Sequence, residues 1–397
     1  MPVYWIWFAQ LKGISLFIKQ QLLQKFRDPE ELFMADERRL QDLAPAVREA
    51  LQDKDLTGAW QIHNRCAQKG IRILTYGDAA YPQRLRNIED PPMVLYFKGQ
   101  LPSWQDRPVI GVVGTRKASP YGLQTAHLLA AQIAVCGGLV VSGLATGIDA
   151  LSMEGALDAD KPVVGVLGNG VDVVYPAGNR ALYRRTEEKG CILSEYPPGT
   201  RPYPGNFLRR NRIISGISDG LLVVEAPVES GALNTARHAF SQGRDLFAAP
   251  GNLGVETSLG SNSLLQEGAY PALCGWDVVK HYETLYPGTV KNLQNTLPKM
   301  TENTLSKVAQ TPAVPERETQ KFIDNLDKST YSVINKRPEN LNDQENAVLA
   351  LLTAAPQLPD SIMDASELPS GTVQSVLTRL VLKGLAVCHP DGRISRK

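Results

Sequence analysis

The sequence predicts an α/β protein: a doubly wound, mostly parallel sheet of the Rossmann-like class, preceded by a small helical domain and followed by a winged-helix-like domain. Three observations predict it. From 109 to about 282, near-continuous runs of Val, Ile and Leu alternate with amphipathic segments, as strands buried on both faces of a parallel sheet require. Residues 4–70 carry apolar side chains at spacings of three and four, a helical period. The C-terminal stretch reads as three helices and a terminal hairpin.

At 397 residues and 43% hydrophobic content, the chain can pack two or three domains. The first is 1–70, where Leu22, Leu23 and Phe26, then Leu40, Leu43, Val47 and Leu51, mark the apolar faces. Within it, Leu11-Lys12-Gly13-Ile14-Ser15 fits a helix-hairpin-helix element whose glycine turn approaches a DNA backbone. It also fits a plain tight connection, the commoner use of such a turn.

The core with its extension is expected at 71–284. The extension holds two short strands, 71–75 and 93–98, either side of Pro91-Pro92. The core strands are VIGVVG, LVVSG, PVVGVLG, CILSE, GLLVVEA and DLFAAPG, with helices over 121–136, 148–157, 179–189 and 231–242. Residues 285–340 are polar, rich in Thr, Asn, Pro and Lys, and read as a linker. In 341–397, helices are expected over 342–352, 361–365 and 370–383, and strands over 385–388 and 392–395 around Asp391-Gly392.

Lys plus Arg number 42 and Asp plus Glu 41, so affinity for a polyanion must come from local clustering. The five cysteines are scattered, with no CxxC pair for zinc and no disulfide spacing, which fits a reducing cytoplasm and no metal. The apolar start, MPVYWIWFAQLKGISLFIKQ, lacks a basic leader and is interrupted at Lys12 and Lys19, so no signal peptide or membrane span is expected.

In open parallel sheets, ligands bind at the carboxyl ends of the strands, where helix N-termini offer free N–H groups to anions. The glycine-rich turns fall at those ends. Gly114, Thr115 and Arg116 follow the first strand, giving close backbone approach, a hydroxyl and a guanidinium for phosphate. Ser142, Gly143 and Gly147 follow the second, and Gly168 and Gly170 the third. From 180 to 212 there are eight basic residues, Arg180, Arg184, Arg185, Lys189, Arg201, Arg209, Arg210 and Arg212, against three acidic ones. Its densest part, Asn206 to Arg212, is expected near the same rim. Successive phosphates of a flexible strand match such a row of donors, with Tyr203 or Phe207 available for base stacking. Ser230, Gly231 and Thr235 open a later helix and add possible phosphate contacts. Arg184 and Arg185 instead read as a solvated helix face paired with Glu187 and Glu188.

Nucleotide chemistry finds little support. There is no GxxxxGK[ST] and no GxGxxG, and no acidic residue ends the second strand to hold a ribose, so no cofactor is expected. No HExxH, GxSxG or carboxylate pair marks a catalytic site, and His127 and His238 read as helix residues at the core's edge. Glu225 is the one place for a hydrolase, as the acid or nucleophile of a Rossmann-like phosphoribohydrolase. Those enzymes carry PGGxGT, where this chain reads Pro227-Val228-Glu229-Ser230-Gly231.

The stretches YPQRLRNIEDPPMVLYFKG, GVVGTRKASPYG, VVSGLATGID, VLGNGVDVVYPAGN, ILSEYPPG, FLRRNRIISGIS, LLVVEAPVESGALNTARHA, GRDLFAAPG and SNSLLQEGA resemble, in order over about 76–280, the DNA-processing protein A (Smf) family. The resemblance implies a non-enzymatic, homodimeric, cytoplasmic protein that binds single-stranded DNA in a basic pocket, protects incoming strands and helps load the RecA recombinase in natural transformation. It implies a pocket of Gly114, Thr115, Arg116, Ser142, Gly143, Gly147, Asn206, Arg209, Arg210, Asn211 and Arg212, flanked by Arg180. Two departures stand out: Ala150 to Glu154 lack the family's usual His after GID, and Leu208 replaces its usual Pro. Neither removes a phosphate donor.

Overall fold

The computed structural model describes residues 1–293 and most of 343–396, in two compact units, Met1–Thr319 and Gln320–Lys397.

Six helices occupy the N-terminal region: α1 (Pro2–Gln10), α2 (Leu16–Lys25), α3 (Pro29–Met34), α4 (Glu37–Leu40), α5 (Pro45–Leu51) and α6 (Thr57–Gln68). Proline at the first helical position starts α1, α3 and α5, where the missing N–H has no intrahelical partner to lose. Gly13 takes φ +73° between α1 and α2, and Ser15 caps α2 by accepting the Ile18 N–H at 3.3 Å. Leu11 and Ile14 of the Leu11–Ser15 turn are buried.

The sheet has nine strands: β1 (Arg72–Thr75), β2 (Val94–Gly99), β3 (Val109–Val113), β4 (Leu139–Ser142), β5 (Val163–Leu167), β6 (Cys191–Ser194), β7 (Gly220–Val223), β8 (Asp245–Ala248) and β9 (Tyr270–Pro271). They lie in the order β1-β2-β6-β5-β4-β3-β7-β8-β9, with β1 and β2 antiparallel at one edge and β6 to β9 parallel. Side chains alternate: Ile110 and Val112 enter one core layer, Val109 and Val113 the other. The first layer is covered by α8 (Pro120–Val135) and α9 (Ile148–Asp158), with α7 (Gln83–Arg86) beneath the second. The second is covered chiefly by α11 (Pro204–Ile217) and α12 (Gly231–Ser241), through Ile213, Ile214, Ile217, Ala232 and Ala236. Two-sided burial explains why the strands lack polar alternation. α10 (Arg180–Lys189), α13 (Leu259–Gln266) and α14 (Gly275–Val279) complete the unit.

The stretch expected to open the linker is packed where it is described: Tyr286 and Val290 are buried in the core, and the Tyr286 hydroxyl donates to Asp219 at 3.3 Å. Residues 294–340 of the expected linker lie outside the described residues.

The second unit contains α15 (Asp343–Leu351), α16 (Pro359–Asp364) and an antiparallel pair, β10 (Ala386–Cys388) with β11 (Ile394–Arg396). Helical residues at 372–373, 376–377 and 380–381 bury Val373, Val376, Leu377 and Leu380 with Val348, Ile362 and Ile394. This is the expected winged-helix arrangement; the Asp391-Gly392 turn lies outside the described residues. No described helix is long and apolar enough to cross a membrane.

Candidate nucleic-acid interface

The chain winds outward through β3, β4, β5 and β6, then returns to β7 and β8 on the other side of β3. Connections therefore leave β3 and β7 in opposite senses, and a crevice opens beyond their carboxyl ends. A cleft of about 1020 Å³ occupies this place, lined by the turns after β3, β7 and β8 and by the first half of α11.

The turn after β3 brings Gly114, Thr115, Arg116 and Lys117 to the cleft wall. Its backbone is fixed from both sides: the Thr115 N–H donates to the Glu225 carbonyl at 2.7 Å, and the Ile148 N–H donates to the Thr115 carbonyl at 3.2 Å. Gly114 is required here because a Cβ would run into the side chain of Ile148. Arg116 is exposed, its guanidinium 5.5 Å from the Phe207 ring centre. Phe207 is itself stacked on Tyr175, centroids 5.5 Å apart at 29°. Cation and rings form a column on which a base can lie while Arg116 and Lys117 meet its phosphates.

Arg210 forms the floor. It is 4% exposed and donates from Nη1 to the Gly143 carbonyl at 2.8 Å and to the Val166 carbonyl. Burial pulls its pKa below the usual arginine value, partly offset by nearby Asp149. Burial in turn raises the Asp149 carboxyl above its ordinary value, against the pull of Arg210 and the Ala145 N–H. A Cβ on Gly143 would collide with both groups, so glycine is needed behind the charged floor. Asn211 lines the cleft and donates to the Gly231 carbonyl at 3.1 Å and Asn234 Oδ1 at 3.2 Å, tying α11 to α12. Ser230 caps α12 through the Leu233 N–H, and Ser230, Gly231 and Thr235 line the cleft where that helix presents its free N–H groups.

Other expected pocket residues are elsewhere. Ser142 is fully buried, and its hydroxyl donates to the Val112 carbonyl at 2.6 Å, so it fastens β4 to β3. Gly147 takes φ +77° at the start of α9, packed against the Thr115 and Arg116 backbone, and shapes the loop from behind. Asn206 and Arg180 lie outside the cleft lining, Arg180 exposed at the start of α10.

Arg212 and Arg209 face away. Arg212 is buried and holds Glu195 in a two-pronged pair, 3.0 and 2.7 Å, with Asp90 at 2.9 Å. Burial alone would lower its pKa, but these carboxylates outweigh burial and raise it. Arg209 lies on the same side at 3.7 Å from both acids, in a separate 230 Å³ groove beside α2. Tyr203 is also outside the cleft lining, leaving Phe207 as the α11 aromatic at the site. Of the expected solvated pairs, Arg184 meets Glu188 at 3.7 Å, whereas Arg185 meets buried Asp158 at 2.8 Å.

Glu225 does not line the cleft. Its carboxylate accepts the Ser119 N–H at 2.9 Å and the Thr257 hydroxyl, and it fills the space that a Cβ on Gly122 would need, so it anchors the start of α8. Residues the motifs did not single out are Lys117, Asp149, Tyr175, Glu229 and Glu256, all lining the cleft. Lys117 and Tyr175 sit inside GVVGTRKASPYG and GNGVDVVYP, so proximity to the glycine turns was their only signal. No cluster able to hold a metal ion occurs among the described residues.

A crevice lined by Arg116, Lys117 and Arg210 at the switch point of a Rossmann-like sheet, in a chain that also carries an N-terminal helical region and a winged-helix unit, is the class of protein the fold defines. The chain belongs to the DNA recombination-mediator protein A family, whose description matches residues 72–283, and the DprA winged helix domain matches 335–392. Protein Smf of Synechocystis is 30% identical over 408 residues, covering 99% of this chain and 98% of its own. The X-ray structure of DNA processing protein A from Streptococcus pneumoniae superposes with a TM-score of 0.60 at 30% identity, covering 70% of this chain and 98% of that one. A DNA processing protein A from Helicobacter pylori, described for its single-stranded DNA binding mode, reaches 0.49 at 29% identity over 54% of this chain and 96% of its own.

Proposed function

We propose that this chain is a non-enzymatic mediator that binds single-stranded DNA in the switch-point cleft, protects incoming strands, and helps load the RecA recombinase as a homodimer. The observation that carries the DNA reading is the joining of Arg116, Arg210 and the α12 N-terminus to the Tyr175–Phe207 stack in one open cleft. Phosphates take the cations and free N–H groups, while the exposed Tyr175 and half-buried Phe207 rings suit unpaired bases of any sequence. Membership of a recombination-mediator family supports the loading role. The phosphoribohydrolase alternative is disfavoured because Glu225 does not line the cleft and its carboxylate oxygens accept hydrogen bonds from Ser119 and Thr257.

A salt titration of single-strand binding tests the reading. Affinity should fall steeply with salt, and Arg116→Ala should weaken binding about tenfold, to every sequence alike, and reduce the log–log salt slope by roughly 0.7. Binding undiminished in both Arg116→Ala and Arg210→Ala would remove the cleft as the DNA site. Release of free base from nucleoside monophosphates would restore the enzyme alternative.

A further inference from the structure

We propose that Glu229 and Glu256 make the cleft reject double-stranded DNA. This rests on the single-strand reading above and names what selects for it. Charge is segregated across the cleft mouth: Arg116 and Lys117 follow β3, Glu229 follows β7, and Glu256 follows β8. All four side chains belong to exposed residues, and neither glutamate forms an ion pair among the described residues. The buried floor residue Arg210, held by the Gly143 and Val166 carbonyls, adds positive charge beneath the cleft on the side away from β7 and β8.

Because β3 and β8 are separated by β7 alone, their ends lie about 10 Å apart at the usual strand spacing. A single strand has one phosphate row, which runs along the cationic wall with its bases on the rings. A duplex has a second row across a groove of similar width, about 6 Å clear in the minor groove, which falls against the two carboxylates. Like charges in water at contact distances then oppose entry, and this opposition is screened by salt.

Competition keeps the readout at the cleft, whatever the winged-helix unit binds. A labelled single strand is seated on the full-length protein and displaced by unlabelled duplex or unlabelled single strand. In Glu229→Gln/Glu256→Gln, duplex should displace the label at roughly five- to tenfold lower concentration than from wild type, while single-strand competition moves less than twofold. Glu229→Asp/Glu256→Asp should retain the wild-type preference, and raising salt should shrink the gap. An equal gain for both competitors, or no change in either, would overturn the proposal while leaving the single-strand reading intact. Failure of the wild type to bind the labelled strand would overturn both.

Discussion

Arg210 and Arg212 are two positions apart on α11, and an α-helix turns about 100° per residue, so they leave the helix on nearly opposite sides. Phe207, Arg210, Asn211 and Ile214 have the spacing of a single helix face, and all four line the cleft. Arg209 and Arg212 share the other face and meet Asp90 and Glu195. The basic run is conspicuous in the sequence, but its division depends on which face of α11 packs on the sheet, which no local spacing specifies. Ser142 shows the same limit: Ser after a strand suits a ligand contact, yet here the hydroxyl closes on a neighbouring strand. Arg212→Ala should therefore destabilise the fold by about 3 kcal/mol, because it leaves Glu195 buried without its partner, yet leave the single-strand affinity of the folded protein within twofold. Chemical denaturation alongside binding separates the two. Ser142→Ala should cost about 1 kcal/mol, again without loss of affinity.

At the scale of elements, the strands and their flanking helices were legible because two-sided burial writes itself as unbroken Val, Ile and Leu runs, and the caps at Ser119 and Ser230 confirm where helices begin. The contacts between helices were not, since they join residues far apart in sequence. Asp158 ends α9 and receives His127 of α8 at 2.9 Å and Arg185 of α10 at 2.8 Å. Burial raises the Asp158 pKa, but the His127 and Arg185 bonds outweigh it and leave the carboxyl below its ordinary value. A depressed carboxyl stabilises the fold above its unfolded pKa, near 4, and that contribution disappears as pH falls through the lower folded value. Thermal melts should thus show wild type losing stability below about pH 4 more steeply than Asp158→Asn, which starts less stable at neutral pH. Close by, Gly155 of α9 lies against the His127 backbone, so near that a Cβ would overlap the carbonyl. Gly155→Ala should separate α8 from α9 and cost about 1–3 kcal/mol.

For the whole molecule, the near balance of charge left the location of any basic surface to local sequence, and the cleft repeats that balance in miniature: Arg116, Lys117 and Arg210 against Asp149, Glu229 and Glu256. On the proposed reading, selectivity follows from arrangement, with Arg116 and Lys117 after β3 set against Glu229 after β7 and Glu256 after β8, while Arg210 and Asp149 lie together at the floor, a pattern visible only after the strand order is known. Every residue lining the cleft lies between Val113 and Thr257, within the first unit. A chain ended at residue 293 should therefore melt cooperatively and bind single-stranded DNA within about threefold of full length, with an unchanged salt slope, since the same phosphates are neutralised. The cut must spare the segment after α14. Tyr282 donates to Asp245 at 2.8 Å, Tyr286 to Asp219 at 3.3 Å, and Val290 is buried beside them in the core. Ending the chain at 279 removes all three, and burial of roughly 1.5–3 kcal/mol per large apolar side chain predicts a loss of about 5 kcal/mol. A shorter chain as stable as the longer one would show that this segment does not hold the core together. Weakened binding by the 293-residue chain, with its melting temperature unchanged, would show that the winged-helix unit contributes to the DNA contact.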